Sequence, residues 1–477
     1  MNLDSIIIVI YILGVFFMAS RASRAVKTDT TDQTKQVEEQ YMAGKSLTFT
    51  ESICSILATE VSALTFLGIP AFAFNLDFSF VQIYMGAILG RLVIAKLFLP
   101  RIYDKGLTIY EIMNDSPKKG GRRTVALFYS VAKILSVGVR LFSGSILIAK
   151  FLGTDMYSAL SLVTLITFLY TLIGGLKAVV RTDMMQLVLF ISGGILAHYL
   201  IPHTVEKSWW DLMSHAYAHD KTSFINFSNP TGFIIGFIGG ILFDMATHGV
   251  DQDFAQRLMA NKSLKKAQLA IFLSSFGSIA IGLLFLGIGA LLWSNYQGQL
   301  PLGVENADHL FSYFIVNHFP IGVRGLMVAG VLAATMSTLD STINALCATL
   351  YNDILPKRDP KKLKFFAFTD NAFITLMLFT IAVIASQNDG LLLLGLKVQS
   401  WTAGPLVGLF MTKILFKKFF PYTLGPSAVI GAYLFGATGV LLNTQVFEWN
   451  WNLNVYWGCI MAMVFLKIYS FLRPQRS

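Results

Sequence analysis

Long apolar segments recur along the whole chain and constrain this sequence more than any other feature. Most contain about 20 residues, enough for a helix to cross roughly 30 Å of hydrocarbon. A transmembrane β-barrel would instead show short segments of alternating hydrophobicity. The chain is 55% hydrophobic and 13% charged, whereas soluble domains carry about 25% charged residues. The sequence therefore predicts an all-α polytopic membrane protein.

The apolar segments predict thirteen transmembrane helices, whose orientation follows from the loops. One side of the membrane, including the C-terminal tail, holds 27 of the 37 Lys and Arg residues, and the other side holds four. Because basic loops stay in the cytoplasm, we expect the N-terminus outside and the C-terminus inside a cell (inner) membrane. The predicted spans are 4–20, 48–74, 78–100, 124–151, 156–174, 179–201, 230–249, 267–293, 322–352, 364–386, 390–412, 421–442 and 451–471.

Several function classes fit this sequence poorly. The net charge of +10 is concentrated in loops on one side of the membrane, so it does not indicate a nucleic-acid partner. The chain contains no Walker loop, no G-x-S-x-G and no H-E-x-x-H motif. We therefore predict neither an enzyme nor catalytic or cofactor-binding residues, and no obligatory protein partner is evident. Without an ATP site, uphill transport would need an ion gradient.

The second span is unusually polar in its first half. Glu60 lies within this half, and Gly68 and Pro70 follow it. We expect the helix to unwind near its middle, with Glu60 at the break, which would free backbone carbonyl groups to line a cavity and bind a cation. Glu60 has two interpretations at this stage, a role at the binding site or a structural ion pair.

The ninth span carries oxygen-bearing side chains on one face. Spacings of i, i+3, i+4 and i+7 align Ala334, Ser337, Thr338 and Ser341. Asp340 adjoins this face. Hydroxyl and carboxylate oxygens suit a hard cation such as sodium, although Ser and Thr also connect packed membrane helices. Asp340 favours the cation site.

Further ionisable residues fall inside or near other predicted spans. Asp183 lies one turn into the sixth span, where its alternative role is to interact with the helix dipole. Asp244, Arg140 and Lys397 lie deeper. Acids and bases at this depth could neutralise one another, or they could bind a charged or zwitterionic solute.

Five motifs, in this order along residues 45–420, resemble those of the sodium/solute symporter family. They are ATEVSALTFLGIP, LTIYEIM, GGLKAVVRTDMMQ, DQDFAQRLMANKS and AATMSTLDSTINA. Members of this family carry sugars, proline, pantothenate, iodide, short carboxylates and sialic acids. The resemblance implies a LeuT-like fold with two inverted five-helix repeats, one leading helix and two trailing helices. The implied division is 1–47 (leading helix and cytoplasmic loop), 48–201 (first repeat), 202–229 (outer loop), 230–412 (second repeat) and 413–477 (trailing helices and short tail).

The resemblance also implies ion sites. The main sodium site of the family uses carbonyl oxygens of the broken helix together with a carbonyl and two hydroxyls of the ninth span. The matching residues are Ala58, Val61, Ala334, Ser337 and Thr338. Some sialic acid transporters bind a second sodium ion, and the matching residues are Asp183, Ser337, Asp340 and Ser341. Asp340 replaces a serine of that second site.

The expected solute pocket departs more from the family pattern. Glu60, Asp244 and Lys397 fall where the sugar transporters have uncharged amides, and Thr247 falls where they have an inner aromatic gate. The pattern therefore disfavours a plain hexose carrier. Thr65 and Gln82 are further wall candidates. Arg140 could bind a carboxylate through its planar guanidinium group, or it could form an ion pair with Glu60.

We therefore predict a secondary active transporter that couples inward sodium movement to a small polar solute by alternating access. The expected solute is charged or zwitterionic and bears a carboxylate, so the expected partners are this solute, sodium ions and the lipid bilayer. The alternatives are a proton-coupled symporter that uses Glu60, Asp244 or Asp340, and a transporter-like membrane sensor.

Overall fold

The computed structural model of the chain describes residues 2–26, 33–113, 120–225, 230–355, 358–387, 391–420, 424–447 and 451–472. Within these ranges the regular elements are all helical. The α-helices are α1 Leu3–Val26, α2 Gln33–Met42, α3 Phe49–Glu60, α4 Ile69–Asn75, α5 Val81–Val93, α6 Leu99–Ile102, α7 Gly121–Leu152, α8 Met156–Thr171, α9 Leu176–Thr204, α10 Trp209–Ala218, α11 Pro230–Asp244, α12 Gln252–Met259, α13 Leu264–Tyr296, α14 Leu310–His318, α15 Val323–Thr349, α16 Leu363–Ala385, α17 Leu391–Ile414, α18 Pro426–Leu442 and α19 Asn454–Leu472.

The all-helical, polytopic architecture is confirmed, but the number of spans is not. Among the described residues, ten helices are long and apolar enough to cross a membrane, or eleven with the bent pair Phe49–Glu60 and Leu64–Asn75. The predicted spans 156–174 and 390–412 correspond to α8 and α17. Helix α8 has only 16 residues, a length of about 24 Å. The count of thirteen and the division into repeats stay predictions.

Helix α15 forms the centre of the molecule. In its most apolar stretch 94% of the residues are buried inside the protein, compared with 22% for α1. It packs against α1, α7 and α9. Because α15 is shielded from lipid, its hydroxyl and carboxyl groups can be satisfied by neighbouring helices.

Helices α5 and α11 approach each other closely through glycine. A Cβ atom on Gly86 would lie 2.1 Å from the carbonyl oxygen of Phe237, and one on Gly240 would lie 2.3 Å from that of Ile83. Small residues permit this backbone contact in membrane helices. The contact places Arg91 of α5 beside Asp244 at the end of α11.

The leading helix α1 is attached to the start of α15 by a buried carboxylate. Asp4 Oδ1 accepts hydrogen bonds from the backbone amides of Gly322 (2.6 Å) and Gly325 (3.0 Å). Its Oδ2 accepts one from Arg324 Nε at 2.6 Å. A carboxylate is favourable there because the first turn of a helix presents unpaired amides and a positive dipole.

Candidate functional site

The predicted break in the second span is present near the middle of the span, and Glu60 lies at it as expected. Helix α3 ends at Glu60, and Val61 adopts an extended conformation with φ −75° and ψ 133°. The chain then continues at an angle of 62°. Gly68 and Pro70 lie beyond the break, where a π-helical turn joins α4. Pro70 is tolerated because it occupies the first turn of α4, where a missing amide costs little.

The residues of the expected main sodium site lie together at this break. Ser337 Oγ of α15 lies 3.3 Å from the carbonyl oxygen of Ala58 and can donate to it. The amide of Ser62, which would continue the helix to Ala58, instead donates to Thr65 Oγ1 at 3.3 Å. The Ala58 carbonyl is therefore available to a cation. All five expected ligands, Ala58, Val61, Ala334, Ser337 and Thr338, are buried.

The four residues of the expected second sodium site also come together. Asp183 Oδ1 accepts from Ser337 Oγ at 2.5 Å, and Asp340 Oδ1 accepts from Ser341 Oγ at 3.3 Å. Tyr170 of α8 donates to the other oxygen of Asp340. Asp183 is thus a member of the buried polar cluster and not only a partner of the α9 dipole.

An arginine that sequence reasoning did not assign enters this cluster. Arg257 Nη2 lies 3.1 Å from Asp183 Oδ2 and donates to Ser341 Oγ. Its Nη1 donates to Asp253 Oδ1, four residues earlier on α12, at 2.5 Å. The motif DQDFAQRLMANKS contains Arg257, but its contacts come from helices distant in sequence.

A cavity of about 140 Å³ lies beside the helix break. Five of the predicted solute-site residues line it: Glu60, Thr65, Arg140, Asp244 and Thr247. Two do not. Gln82 instead donates to the carbonyl oxygen of Phe224 at 2.8 Å, and Lys397 is exposed.

Arg91 forms ion pairs with two acids at the cavity wall. Sequence reasoning also missed this residue. Its Nη2 lies 2.8 Å from Glu60 Oε2, and its Nε lies 3.2 Å from Asp244 Oδ1. His248 Nδ1 lies 3.0 Å from the same Asp244 oxygen. The structural alternative for Glu60 is therefore realised, but with Arg91 and not with Arg140. An arginine inside a predicted span was the available signal.

Arg140 differs in its contacts from the other basic residues near the cavity. Its Nη2 donates to Gln399 Oε1 at 2.8 Å, and its Nε has no hydrogen-bond partner among the described residues. Within the same part of the chain, no carboxylate lies within 4.0 Å of it. Arg140 is half-buried, and a guanidinium withdrawn from water without a counter-charge is costly, so an anion in the cavity would find a partner here.

A second group of charges lies along the cavity wall. Lys133 Nζ lies 2.7 Å from Asp251 Oδ2 and 3.1 Å from Asp253 Oδ2. Tyr129 donates to Asp251 Oδ1 at 2.7 Å. Burial opposes ionisation of Asp253, but Lys133 and Arg257 outweigh it and lower the pKa of this carboxyl below its usual value.

A residue from the trailing part of the chain completes the cavity wall. Trp451 lines the cavity and packs edge-on against Phe243 of α11 at 5.6 Å between ring centroids. Tyr456 of α19 donates to the carbonyl oxygen of Ile238 at 2.6 Å. The trailing segment was expected to lie outside the two repeats, and no sequence signal marked Trp451.

Residues 40–422 match the model of the sodium:solute symporter family. The chain belongs to this family. Because the family consists of transporters, this symporter-family member is not an enzyme. Its apolar helices and family membership make it a multi-pass membrane protein.

Curated relatives of this symporter-family member are sodium-coupled transporters. Sodium-coupled monocarboxylate transporter 2 of Bos taurus is 28% identical over 423 residues, which cover 86% of this chain and 67% of that protein. The sodium/iodide cotransporter of Homo sapiens is 27% identical over 391 residues, which cover 78% of this chain and 60% of that protein. The chain spans about two thirds of the length of the first curated relatives it matches.

Solved structures resemble the whole chain. A structure described as the substrate-bound outward-open state of a Na+-coupled sialic acid symporter has a TM-score of 0.84 at 21% identity, covering 99% of this chain and 98% of that one. MhsT in complex with L-phenylalanine has a TM-score of 0.52 at 13% identity, covering 88% and 97%. These similarities concern the fold, and they confirm the expected LeuT-like architecture.

Proposed function

We propose that this protein is a sodium-coupled symporter that carries a small, polar, carboxylate-bearing organic solute into the cell. Arg140 carries this proposal, because it is a half-buried cation on the cavity wall without a carboxylate partner among the described residues. The planar guanidinium group of Arg140 can bind a carboxylate through two parallel hydrogen bonds. The names of the relatives, sodium-coupled monocarboxylate transporters, agree with an organic anion as solute.

Sodium binds at the main site in this proposal. Its ligands are the carbonyl oxygens of Ala58, Val61 and Ala334 and the hydroxyls of Ser337 and Thr338. An all-oxygen set suits a hard monovalent cation, and the Ala58 carbonyl has lost its helical amide partner. Bound sodium would connect the broken helix to α15 and thereby order the cavity beside the break.

The end of the solute that lies away from its carboxylate would contact a polar part of the cavity wall. Glu60, Asp244 and Thr247 line the cavity, and Thr65 lies near the break. Glu60 and Asp244 share the single positive charge of Arg91. They therefore offer hydrogen-bond acceptors, which suit hydroxyl or ammonium groups of the solute.

The membrane and its orientation are part of the same proposal. We assign the protein to the cell (inner) membrane, with the N-terminus outside and the C-terminus in the cytoplasm. The uneven distribution of Lys and Arg between the two sides supports this orientation.

A thermal-stability screen of the purified protein tests the solute assignment. Carboxylates from short monocarboxylates to sialic acids would be compared with their uncharged amides, each in sodium and in potassium. Ligands that bind the folded state raise its apparent stability. We expect stabilisation by a carboxylate but not by its amide, and only in sodium. Stabilisation that ignores sodium and follows pH would instead support the proton-coupled alternative.

Arg140→Gln gives the decisive variant. We expect the affinity for the carboxylate to fall about 10–100-fold, because a charge-assisted hydrogen bond contributes roughly 1.5–3 kcal/mol. Arg140→Lys should retain part of it. Arg101→Gln is the matched control, since Arg101 is exposed and donates to the carbonyl oxygen of Leu97. Unchanged carboxylate affinity in Arg140→Gln would contradict the assignment.

A further inference from the structure

Glu60 presents an open carboxylate oxygen at the cavity wall. Its Oε2 accepts from Arg91 Nη2 at 2.8 Å and from Ser278 Oγ at 2.6 Å, whereas its Oε1 accepts no hydrogen bond from the described residues. The Glu60 side chain is 19% exposed, compared with 0% for Arg91 and 5% for Asp244. Because Glu60 lines the cavity, its Oε1 can contact a group of the solute.

His248 adds no positive charge to this wall. Arg91 Nη2, which can only donate, lies 3.2 Å from His248 Nε2. Nε2 therefore accepts, and the ring proton is on Nδ1. Nδ1 lies 3.0 Å from Asp244 Oδ1 and 2.8 Å from Thr247 Oγ1, and both oxygens can accept its hydrogen bond. These contacts fit a neutral imidazole.

Glu60 and Asp244 therefore carry one more negative charge than their neighbours compensate. Arg91 contacts both carboxylates and brings a single positive charge. Apart from the neutral His248, no other basic group of the described residues lies within 4.0 Å of either carboxylate. A carboxylate withdrawn from water without a full counter-charge is costly, so this wall would bind a cationic group.

The other charged groups at the cavity do not supply that compensation. Lys133 lies 2.7 Å from Asp251 and 3.1 Å from Asp253, and none of these contacts involves Glu60 or Arg140. Within the described part of the chain, Arg140 has no carboxylate within 4.0 Å. The same cavity thus presents an incompletely compensated acid and an unpaired base.

We infer that the solute is a zwitterion whose carboxylate binds Arg140 and whose protonated or quaternary amine binds Glu60. A zwitterion offers a partner to each of these two groups, whereas a simple monocarboxylate leaves Glu60 without one. This inference rests on the proposed function, because the carboxylate is assigned to Arg140 there. It adds the second charged group of the solute and the residue that selects for it.

Pairs of carboxylates that differ only in the amine test this inference on the unchanged protein. Glycine betaine would be compared with tert-butylacetate, its carbon isostere, alanine with propionate, and γ-aminobutyrate with butyrate. Affinities come from the rise in apparent melting temperature in sodium. We expect an aminated member to bind about tenfold or more tightly than its partner, as one charge-assisted contact would give. Equal or tighter binding of the amine-free members throughout would overturn the inference.

Glu60→Gln tests the residue assigned to the amine. This variant keeps the size of the side chain and an acceptor oxygen but removes the charge. We expect the preference for the aminated member to fall about tenfold, to near equality, while the affinity for its amine-free partner stays unchanged or rises. Glu305→Gln is the matched control, since Glu305 is exposed in a loop. An undiminished preference in folded Glu60→Gln would overturn the role of Glu60.

The outcomes separate this inference from the proposed function. If amine-free carboxylates bind as tightly as their aminated partners in sodium, the proposed function stands and the zwitterion is refuted. If choline, which has no carboxylate, binds and Arg140→Gln retains that binding, the carboxylate assignment fails and the zwitterion fails with it. If Glu60→Gln elutes as aggregate, the matched pairs in the unchanged protein still decide the solute class.

Discussion

Arg91 and Arg140 both lie within predicted spans, but Arg91 is fully buried, Arg140 is half-buried, and they differ in what they contact. Arg91 bonds two carboxylates and the hydroxyl of Ser274 (2.7 Å), so it belongs to the scaffold. Removing one partner of such a buried pair costs roughly 3–5 kcal/mol. Arg140 faces the cavity with spare donors. The residue type is the same, and burial and contacts separate a structural charge from a recognition charge.

The hydroxyls of the main sodium site give a prediction at this scale. Ser337→Ala combined with Thr338→Ala should raise the sodium concentration for half-maximal solute uptake into proteoliposomes by about tenfold or more, since each lost ligand costs on the order of 1 kcal/mol. Thr349→Ala is the control, because Thr349 is a buried hydroxyl of the same helix that donates to the carbonyl oxygen of Ala345. An unchanged sodium dependence in the double variant would refute the assigned site.

Local patterns predicted some of these residues well. The hydroxyl face of α15 could be identified from sequence, because helical spacing is a local property. The partners of Arg91 and Arg257 could not, since Glu60 and Asp244 are 31 and 153 residues from Arg91, and Asp183 is 74 residues from Arg257. Gln82 and Lys397 are not among the residues that line the cavity, because a sequence motif does not specify side-chain direction.

At the scale of elements, helix ends determine where chemistry is possible. The break after Glu60 frees carbonyl groups, and the start of α15 presents free amides that Asp4 accepts from. Sequence signals predicted that the second span breaks near its middle at Glu60, and the break lies there, although Gly68 and Pro70, which were expected to cause it, lie in the helical turns that follow. Proline is compatible with the first turn of a new helix, so it marks a restart as readily as a stop.

Asp4 provides the prediction for this scale. Asp4→Ala removes the acceptor for the amides at the start of α15 and for Arg324, and should destabilise the protein by about 1–3 kcal/mol. Its apparent melting temperature in detergent should therefore fall. Asp4→Asn keeps one acceptor oxygen, so its apparent melting temperature should lie between those of the unchanged protein and Asp4→Ala. Equal melting temperatures for all three proteins would show that α1 docks without this contact.

At the scale of the whole molecule, the proposed orientation places the side rich in Lys and Arg toward the cytoplasm. Exposed Asp211 of α10 and exposed Lys105 after α6 lie on opposite predicted sides of the membrane. The native cysteines Cys347 and Cys459 are buried, and Cys54 is half-buried, so new surface cysteines can be distinguished against a low background.

Cysteine labelling of intact cells tests this orientation. With a membrane-impermeant maleimide, Asp211→Cys should react, whereas Lys105→Cys should react only after the cells are opened. The unchanged protein is the background control. The reverse pattern would invert the topology, and equal labelling of both variants would contradict the assignment of these loops to opposite sides.

Trp451 contributes to the cavity from a segment that the ribosome makes late. More than four hundred residues separate the start of the chain from Trp451, so every earlier helix is inserted before the cavity can close. Until Trp451 is added, Phe243 lacks the indole that packs on it. The cavity then has an open side toward lipid or a neighbouring helix. Solute recognition in this protein is thus one of the last properties to be acquired during biosynthesis.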